Sequence, residues 1–323
     1  MSHSVLIVMD PIESINTYKD TTFALMLEAQ RRNWRVYYCQ PQDLYLEQGK
    51  VFAANQQVKL EDSTENWFEY IDTEQKLTAC GDFSAILMRK DPPFNMNYIY
   101  STYLLELAQQ QGALVVNDPA SLRDCNEKLF TAWFPQHTPK TLVSANSQRL
   151  KAFAKEYHDI ILKPLDGMGG ASIFRAKADD PNLSVIIETL TDHGKNLAMA
   201  QQFIPEITKG DKRILIVNGE VIDYTLARIP QKGETRGNLA AGGSGVPMPI
   251  SATEKAIAKA IAPELLKRGL LFVGLDVIGQ YVTEINVTSP TCMRELEYEY
   301  NINIGAKLFS ALEEQLEVSS SQE

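Results

Sequence analysis

Apolar residues in this chain follow two rhythms. Residues 4–9 (SVLIVM) form an unbroken apolar run that stops at Asp10-Pro11, and residues 35–39, 85–88 and 114–117 are similar short runs. A short continuous run bounded by turn residues reads as a buried strand. Between these runs, residues 21–32 and 98–111 carry apolar side chains at helical spacing, with Ile99, Tyr103, Leu104 and Leu107 on one face of the second segment. Strands separated by helix-length segments predict a parallel sheet with crossover helices, so residues 1–122 are read as a Rossmann-like α/β domain. Residues 47–76 are polar, acidic and poorly periodic. They are expected to form an insertion on the edge of that domain.

After Pro119 the texture changes. Helices are predicted over 124–134, 147–157, 253–268 and 304–316, and a strand over 160–163 that runs into a glycine loop. Residues 213–217 and 220–227 flank Asn218-Gly219, the strongest short-range signal for a hairpin. A second hairpin joins 271–278 to 281–287. Mixed helices and antiparallel hairpins predict an α+β, two-lobed nucleotide-binding unit, with one lobe over 123–204 and a catalytic lobe over 205–317. Residues 229–245 (IPQKGETRGNLAAGGSG) lack periodicity and bulky apolar side chains, and read as a mobile lid. Residues 318–323 read as a flexible tail.

Composition narrows the classes. The chain has 323 residues, 44% hydrophobic and 22% charged, the balance of an ordinary globular protein with more than one packed unit. No apolar run approaches the ~20 residues needed to span a bilayer, and no basic-then-apolar leader opens the sequence. Four scattered cysteines without CxxC spacing fit a reduced, cytoplasmic protein without a zinc site. The net charge of −10 argues against nucleic-acid binding. Anionic ligands would therefore need cations gathered in one place.

Such a gathering is present. Lys163 ends an apolar strand and is followed by Gly167, Met168, Gly169 and Gly170. Glycines let backbone N–H groups converge on phosphate oxygens, and the lysine adds a point charge. The GxxxxGK[ST] phosphate loop is absent, and taken alone the segment fits a plain glycine-rich turn equally well. Glu284 and Asn286 are two apart on a predicted strand and share a face; a turn centred on Gln280 places Asp276 opposite Glu284. Two carboxylates and an amide oxygen make a hard, all-oxygen donor set of the kind Mg²⁺ takes. Lys128, Arg213, Arg228 and Arg236 lie near these turns, and Arg213 and Arg228 open and close one hairpin, so they are expected to be neighbours able to fork onto carboxylate or phosphate. The four histidines form no motif.

Five long segments then resemble one family. MRKDPPF (88–94), LRDCNEKLFTAWF (122–134), ILKPLDGMGGASIFR (161–175), ARIPQKGETRGNLAAGG (227–243) and VGLDVIG with TEINVTSPT (273–291) are similar to the signature segments of bacterial glutathione synthetases, within the ATP-grasp superfamily. The resemblance implies a ligase that joins γ-glutamylcysteine to glycine at the expense of ATP, through an acyl phosphate. It implies Lys128, Lys163 and 167–170 on the ATP phosphates, Gln201, Gln202, Phe203 and Ile204 on adenine, Asp211 also on the nucleotide, and two Mg²⁺ (which Mn²⁺ could replace) on Asp276, Glu284 and Asn286. Arg213 and Arg236 would be catalytic, Arg228, Ser289 and Thr291 would position substrate carboxylates, and Arg89 and Ser14 would hold the γ-glutamyl end. A homotetramer is implied as well. Ser244 and Lys232 depart from the family pattern, which has a basic residue and often a glycine there. Another ATP-grasp carboxylate–amine ligase, such as a D-alanine–D-alanine ligase, and a non-catalytic ATP-binding regulator are the alternatives.

Overall fold

A computed structural model describes residues 3–167, 169–239 and 242–320. The first sheet contains β1 (Ser4–Val8), β2 (Arg35–Cys39), β3 (Leu44–Glu47), β4 (Lys50–Leu60), β5 (Phe68–Tyr70), β6 (Lys76–Ala79), β7 (Ala85–Met88) and β8 (Leu114–Val116). Its main path runs β3-β4-β2-β1-β7-β8, with β2, β1, β7 and β8 parallel, as the buried apolar runs predict. The helices α1 (Thr21–Arg31) and α2 (Met96–Gln110) cover opposite faces. Val5 and Ile7 pack with Phe23, Leu25 and Met26 of α1, whereas Leu6 and Val8 pack with Leu105 and Ala108 of α2. This is the period-two alternation of a strand between two helical layers.

Residues 47–76 are not an aperiodic insertion. They are built around the eleven-residue β4, antiparallel to β2 and β3 and paired also with β5 and β6. Val51, Ala53 and Asn55 are buried in alternation, the pattern shifts by one residue at Gln56-Gln57 and resumes at Val58 and Leu60, and the Asn55 amide donates to Ala53 O, Lys76 O and Thr78 Oγ1. Small and amide side chains inside the sheet hide the alternation from a hydropathy reading. The expected helix over 124–134 is also replaced by a short α3 (Pro119–Asp124) and a separate 3₁₀ turn, Leu129–Trp133.

The second sheet has β9 (Thr141–Ser144), β10 (Asp159–Pro164), β11 (Phe174–Lys177) and β12 (Ala198–Gln202) in the order β11-β10-β12-β9, all antiparallel. With α4 (Ser147–Tyr157) and α5 (Leu183–Thr191) it closes a separate small core around Leu150, Ile160, Leu162 and Ile187.

The third sheet runs β15-β14-β13-β16-β17, from β13 (Asp211–Val217), β14 (Glu220–Ile229), β15 (Ser244–Pro249), β16 (Phe272–Ile278) and β17 (Tyr281–Asn286). The helices α6 (Ala252–Lys267), α7 (Met293–Tyr300) and α8 (Ile304–Ser320) pack on it. Ile214, Ile216 and Leu275 join the core beneath α2, while Leu215 and Val217 join the core beneath α1. First and third sheets thus share continuous apolar cores, and the second sheet has its own. The last helix continues three residues past 317, and residues 321–323 lie outside the described chain. Among the described residues no helix is long and apolar enough to cross a membrane.

Candidate active site between the second and third sheets

The acidic face is set by the β16–β17 hairpin. Its turn is the two-residue Gly279-Gln280, so Ile278 faces Tyr281 and Val277 faces Val282. Continued without interruption, that register would set Asp276 against Thr283. A bulge inserts Thr283, and Asp276 instead faces Glu284, with Gly274 facing Asn286. The expected pairing therefore holds, through a tighter turn plus one extra residue rather than a turn centred on Gln280. Gly274 is required next to this pair: a Cβ there would lie 2.8 Å from Arg213 Cδ, whose side chain crosses the sheet at that point.

Arg213 on β13 also faces Asp276, and Asp211 faces Arg228 on β14. The four side chains interlock. Arg213 donates through Nε to Asp276 Oδ1 at 2.5 Å and through Nη2 to Oδ2 at 3.1 Å. Arg228 Nη2 lies 2.8 Å from the same Oδ2 and 2.5 Å from Asp211 Oδ2. Burial alone would raise the Asp276 carboxyl, but the two guanidiniums hold it below the usual carboxylate range. Burial pushes Asp211 up to about 7 against the pull of Arg228, with the negative charges of Asp276 and Glu284 adding to the rise. Its Oδ1 is buried without a hydrogen-bond partner.

Lys163 is treated differently. It is only 4% exposed, and its one hydrogen bond among the described residues is a long donation to Thr283 O, at 3.4 Å. Burial lowers its pKa, although the Glu284 charge opposes this. Lys128 bonds Glu127 Oε1 at 2.8 Å and the Gly167 carbonyl at 3.0 Å, and lies 3.8 Å from Glu284 Oε1. The lysine pair thus links the glycine loop to the acidic face. Gly167, Gly169 and Gly170 all have positive φ, as a backbone cradle requires; Met168 lies outside the described residues.

Two clefts meet here. The first encloses about 640 Å³ between the second and third sheets; Gln201, Gln202, Phe203 and Ile204 form one wall, and Lys163, Asp211 and Glu284 lie among its polar residues. The second encloses about 1000 Å³ and carries Arg213, Arg228, Asn286, Ser289 and Thr291, together with Gly167 and Gly169. Arg236 reaches the Gly170 carbonyl at 3.3 Å and pairs with Glu234 at 2.6 Å, so segment 229–245 lies against the glycine loop. Its last two residues, Ser244 and Gly245, are already strand, paired with Ile229 and Arg228, and Ala240 and Ala241 lie outside the described residues.

Arg89 and Ser14 line neither large cleft. Arg89 is buried and donates to Thr22 Oγ1 and Pro290 O, and Ser14 is exposed and donates to Pro11 O. Asp91, Pro92 and Phe94 do line the second cleft. All three fall within the family segment 88–94, where no local pattern marks them for a role. Asn126, whose Oδ1 accepts from the backbone N–H of Lys128 and Leu129, was likewise passed over although it shapes the Lys128 turn. Asn238, which lines both clefts, carried no local signal beyond its place in a glycine-rich segment.

A metal fits this donor set with one qualification of geometry. Among the described residues no three His, Cys, Asp or Glu side chains gather as a metal cage; the set here is two carboxylates and an amide. Among the described residues the one hydrogen bond of the Asn286 side chain is a long 3.4 Å donation to Gly274 O, which leaves Oδ1 without one, and the one ion pair of Glu284 is with Lys128 at 3.8 Å. Asp276 accepts three arginine bonds, so it keeps fewer free lone pairs than the sequence reading assumed. Mg²⁺ suits such a site because it keeps several water or phosphate ligands of its own.

A lysine buried without an ion pair among the described residues and a glycine loop on one sheet face carboxylates on another, the arrangement expected of an ATP-grasp ligase. The whole architecture is shared with solved members of that class. The chain aligns with a D-cycloserine synthetase at TM-score 0.65 and 12% identity, covering 97% of this chain and 99% of that one. It aligns with a RiPP-associated ATP-grasp ligase from Chryseobacterium gregarium at 0.66 and 15%, covering 98% and 97%. At these identities the likeness concerns the fold. The sequence itself is closer to another group: residues 4–123 match the N-terminal domain of prokaryotic glutathione synthetase, and residues 127–301 match its ATP-grasp domain. Glutathione synthetases of Vibrio vulnificus and Escherichia coli are 60% and 56% identical, over 97% and 96% of this chain and 98% of each relative. The chain belongs to the prokaryotic glutathione synthetase family, an ATP-dependent ligase family that forms glutathione.

Proposed function

We propose that the two clefts carry out glutathione formation in sequence: phosphorylation of the cysteinyl carboxylate of γ-L-glutamyl-L-cysteine by ATP, then attack of the glycine amine on the acyl phosphate, releasing phosphate and ADP. The observation that carries this reading is the Lys163 ammonium, buried without an ion pair among the described residues in the same cleft as Glu284. A buried charge left unpaired is costly unless a ligand completes it, and a triphosphate supplies the missing anion. In this reading adenine lies along Gln201–Ile204, Asp211 meets the nucleotide, Lys128 and Lys163 hold phosphate oxygens, and the 167–170 cradle covers them.

Asp276, Glu284 and Asn286 would hold Mg²⁺, two ions in our reading, with Mn²⁺ an acceptable substitute. The bound metal neutralises phosphate charge and orients the transferred group. Arg213, fixed by Asp276 and reaching Thr291 Oγ1 at 3.5 Å, is aimed to stabilise the charge that develops on the acyl phosphate and tetrahedral intermediate. Arg228 with Ser289 and Thr291 positions substrate carboxylates; Arg89 and Ser14 would act at the γ-glutamyl end. Residues 229–245 act as a lid, with Arg236 its charged tip, moving over lobes 123–204 and 205–317 beside the N-terminal unit 1–122. We place the enzyme in the cytoplasm as a homotetramer.

The test is ADP release across amino-acid pairs. Turnover with γ-glutamylcysteine plus glycine, and none with D-alanine, is expected; the converse would assign a different ATP-grasp ligase.

A further inference from the structure

Glu284 and Asn238 each line both clefts. Both therefore stand where the first cleft opens into the second, on the path of any group passing between them. Glu284 comes from β17 and already has a role; Asn238 comes from the segment that covers the glycine loop.

The placement of Asn238 is built from its neighbours. Gly237 sits so close to β14 that a Cβ would lie 2.5 Å from Arg228 O and 3.0 Å from Asp211 Cβ, so any other residue would lift the segment off the site. The Gly243 N–H donates to Asn238 O at 3.2 Å, tying the returning chain to the same point. On its other side, a Cβ on Gly170 would lie 2.7 Å from Asn238 Oδ1, so the amide packs directly on the cradle. The side-chain amide is half-buried and takes no hydrogen bond among the described residues. A half-buried amide with no hydrogen bond among the described residues therefore stands at the junction, its Oδ1 against the cradle and its N–H group free for a ligand in either cleft.

We infer that Asn238 is a further catalytic residue, donating its side-chain N–H to the phosphoryl group as that group crosses from nucleotide to acceptor carboxylate. The inference rests on the proposed function. In the transfer, the bond from the γ-phosphorus to its bridging oxygen breaks and the electron pair leaves with ADP, while a carboxylate oxygen forms the new bond to phosphorus. Charge on the equatorial oxygens is handled in part by a neutral donor, which avoids the tight ground-state hold of a further cation. The donor comes from the cover, so it reaches its position only with the cover seated.

The experiment compares Asn238→Ala and Asn238→Asp with the unaltered enzyme. Unaltered enzyme is first assayed for ADP release with γ-glutamylcysteine and glycine; silence there overturns the proposed function and this inference with it, whereas an active enzyme with unaffected variants overturns the role of Asn238 alone. Calorimetric ATP binding then reports on folding and on the nucleotide cleft separately from turnover. Both variants are expected to bind ATP within about threefold of the unaltered enzyme and to lose kcat by about 10²-fold, the usual loss for one transition-state donor. Asn238→Asp, equal in shape but acceptor-only and negative, should be at least as slow as Asn238→Ala. If Asn238→Asp keeps kcat, the residue serves by shape alone and the inference is overturned. A rise in KM for ATP with kcat unchanged would overturn it too.

Discussion

The molecule treats its buried cations in two opposite ways. Arg213 and Arg228, 6% and 4% exposed, are locked onto Asp276 and Asp211 by bonds of 2.5 to 3.3 Å. Lys163, equally buried, has a single 3.4 Å bond among the described residues, to a carbonyl. The arginines are held in place by the fold and need no ligand to be stable. The lysine is completed only by what binds. Fixed guanidiniums suit the cleft where charge develops during reaction, because a preorganised group does not have to move as charge appears. An unsatisfied ammonium suits the cleft that must capture a polyanion, because binding relieves its desolvation.

The largest effect should come from breaking the paired side. Asp276→Asn leaves two buried guanidiniums without their shared counter-charge. We expect a stability loss of about 3–5 kcal/mol in denaturant unfolding, the usual cost of removing one partner from a buried ionic network, together with loss of activity. A small stability change would mean that the arginines rearrange freely. Next in size, Glu284→Gln keeps volume and removes a carboxylate whose one ion pair among the described residues is with Lys128, at 3.8 Å. Turnover should fall by about 10²-fold or more with the melting temperature little changed; normal turnover would contradict the metal assignment.

A smaller and different effect is expected of the cover. Deleting residues 233–243 should leave ATP binding near that of the intact enzyme while ADP release outruns glutathione formation, because the acyl phosphate is exposed to water. Tight one-to-one coupling in that variant would remove the lid role. The smallest effect concerns pH. Burial raises Asp211 from 3.8 to about 7. Between those values the folded state holds more protons than the unfolded one, so this group lowers stability as pH rises through that window and adds no slope above it. In Asp211→Asn the slope disappears, so the variant's melting temperature should gain on the unaltered protein's from about pH 4 to 7. A constant difference across that range would show that Asp211 is already ionised in the acid.

The legible parts of this chain were those where one local rule decides. The parallel core strands stand out because they are apolar on both faces, and Asn218-Gly219 marks its hairpin because few dipeptides take that turn. The Asp276–Glu284 pairing was also reached, although the bulge at Thr283 that sustains it left no trace in composition. β4 was hidden because its inward positions include the small Ala53 and the amide Asn55, the latter satisfied by hydrogen bonds rather than by hydrophobicity. The arginine–aspartate lock was half visible: the hairpin made Arg213 and Arg228 neighbours, but their hold on Asp276 needs a third strand, and strand order between separate hairpins is a tertiary fact. Asn238 was invisible for the same reason, since its position depends on the β14 backbone packing closely against Gly237 and on its own side chain packing against Gly170.

The central claim is that Lys163 is kept unsatisfied in order to seat phosphate, and Lys163→Met measured twice tests it. Calorimetry should show ATP affinity reduced by about 10- to 100-fold, the value of a lost charge-assisted contact. Thermal unfolding of the same variant without nucleotide should give a melting temperature at or above that of the unaltered protein, because a desolvated charge has been replaced by an apolar chain of similar length. Retained affinity, or a clear loss of stability in the absence of ATP, would contradict the account.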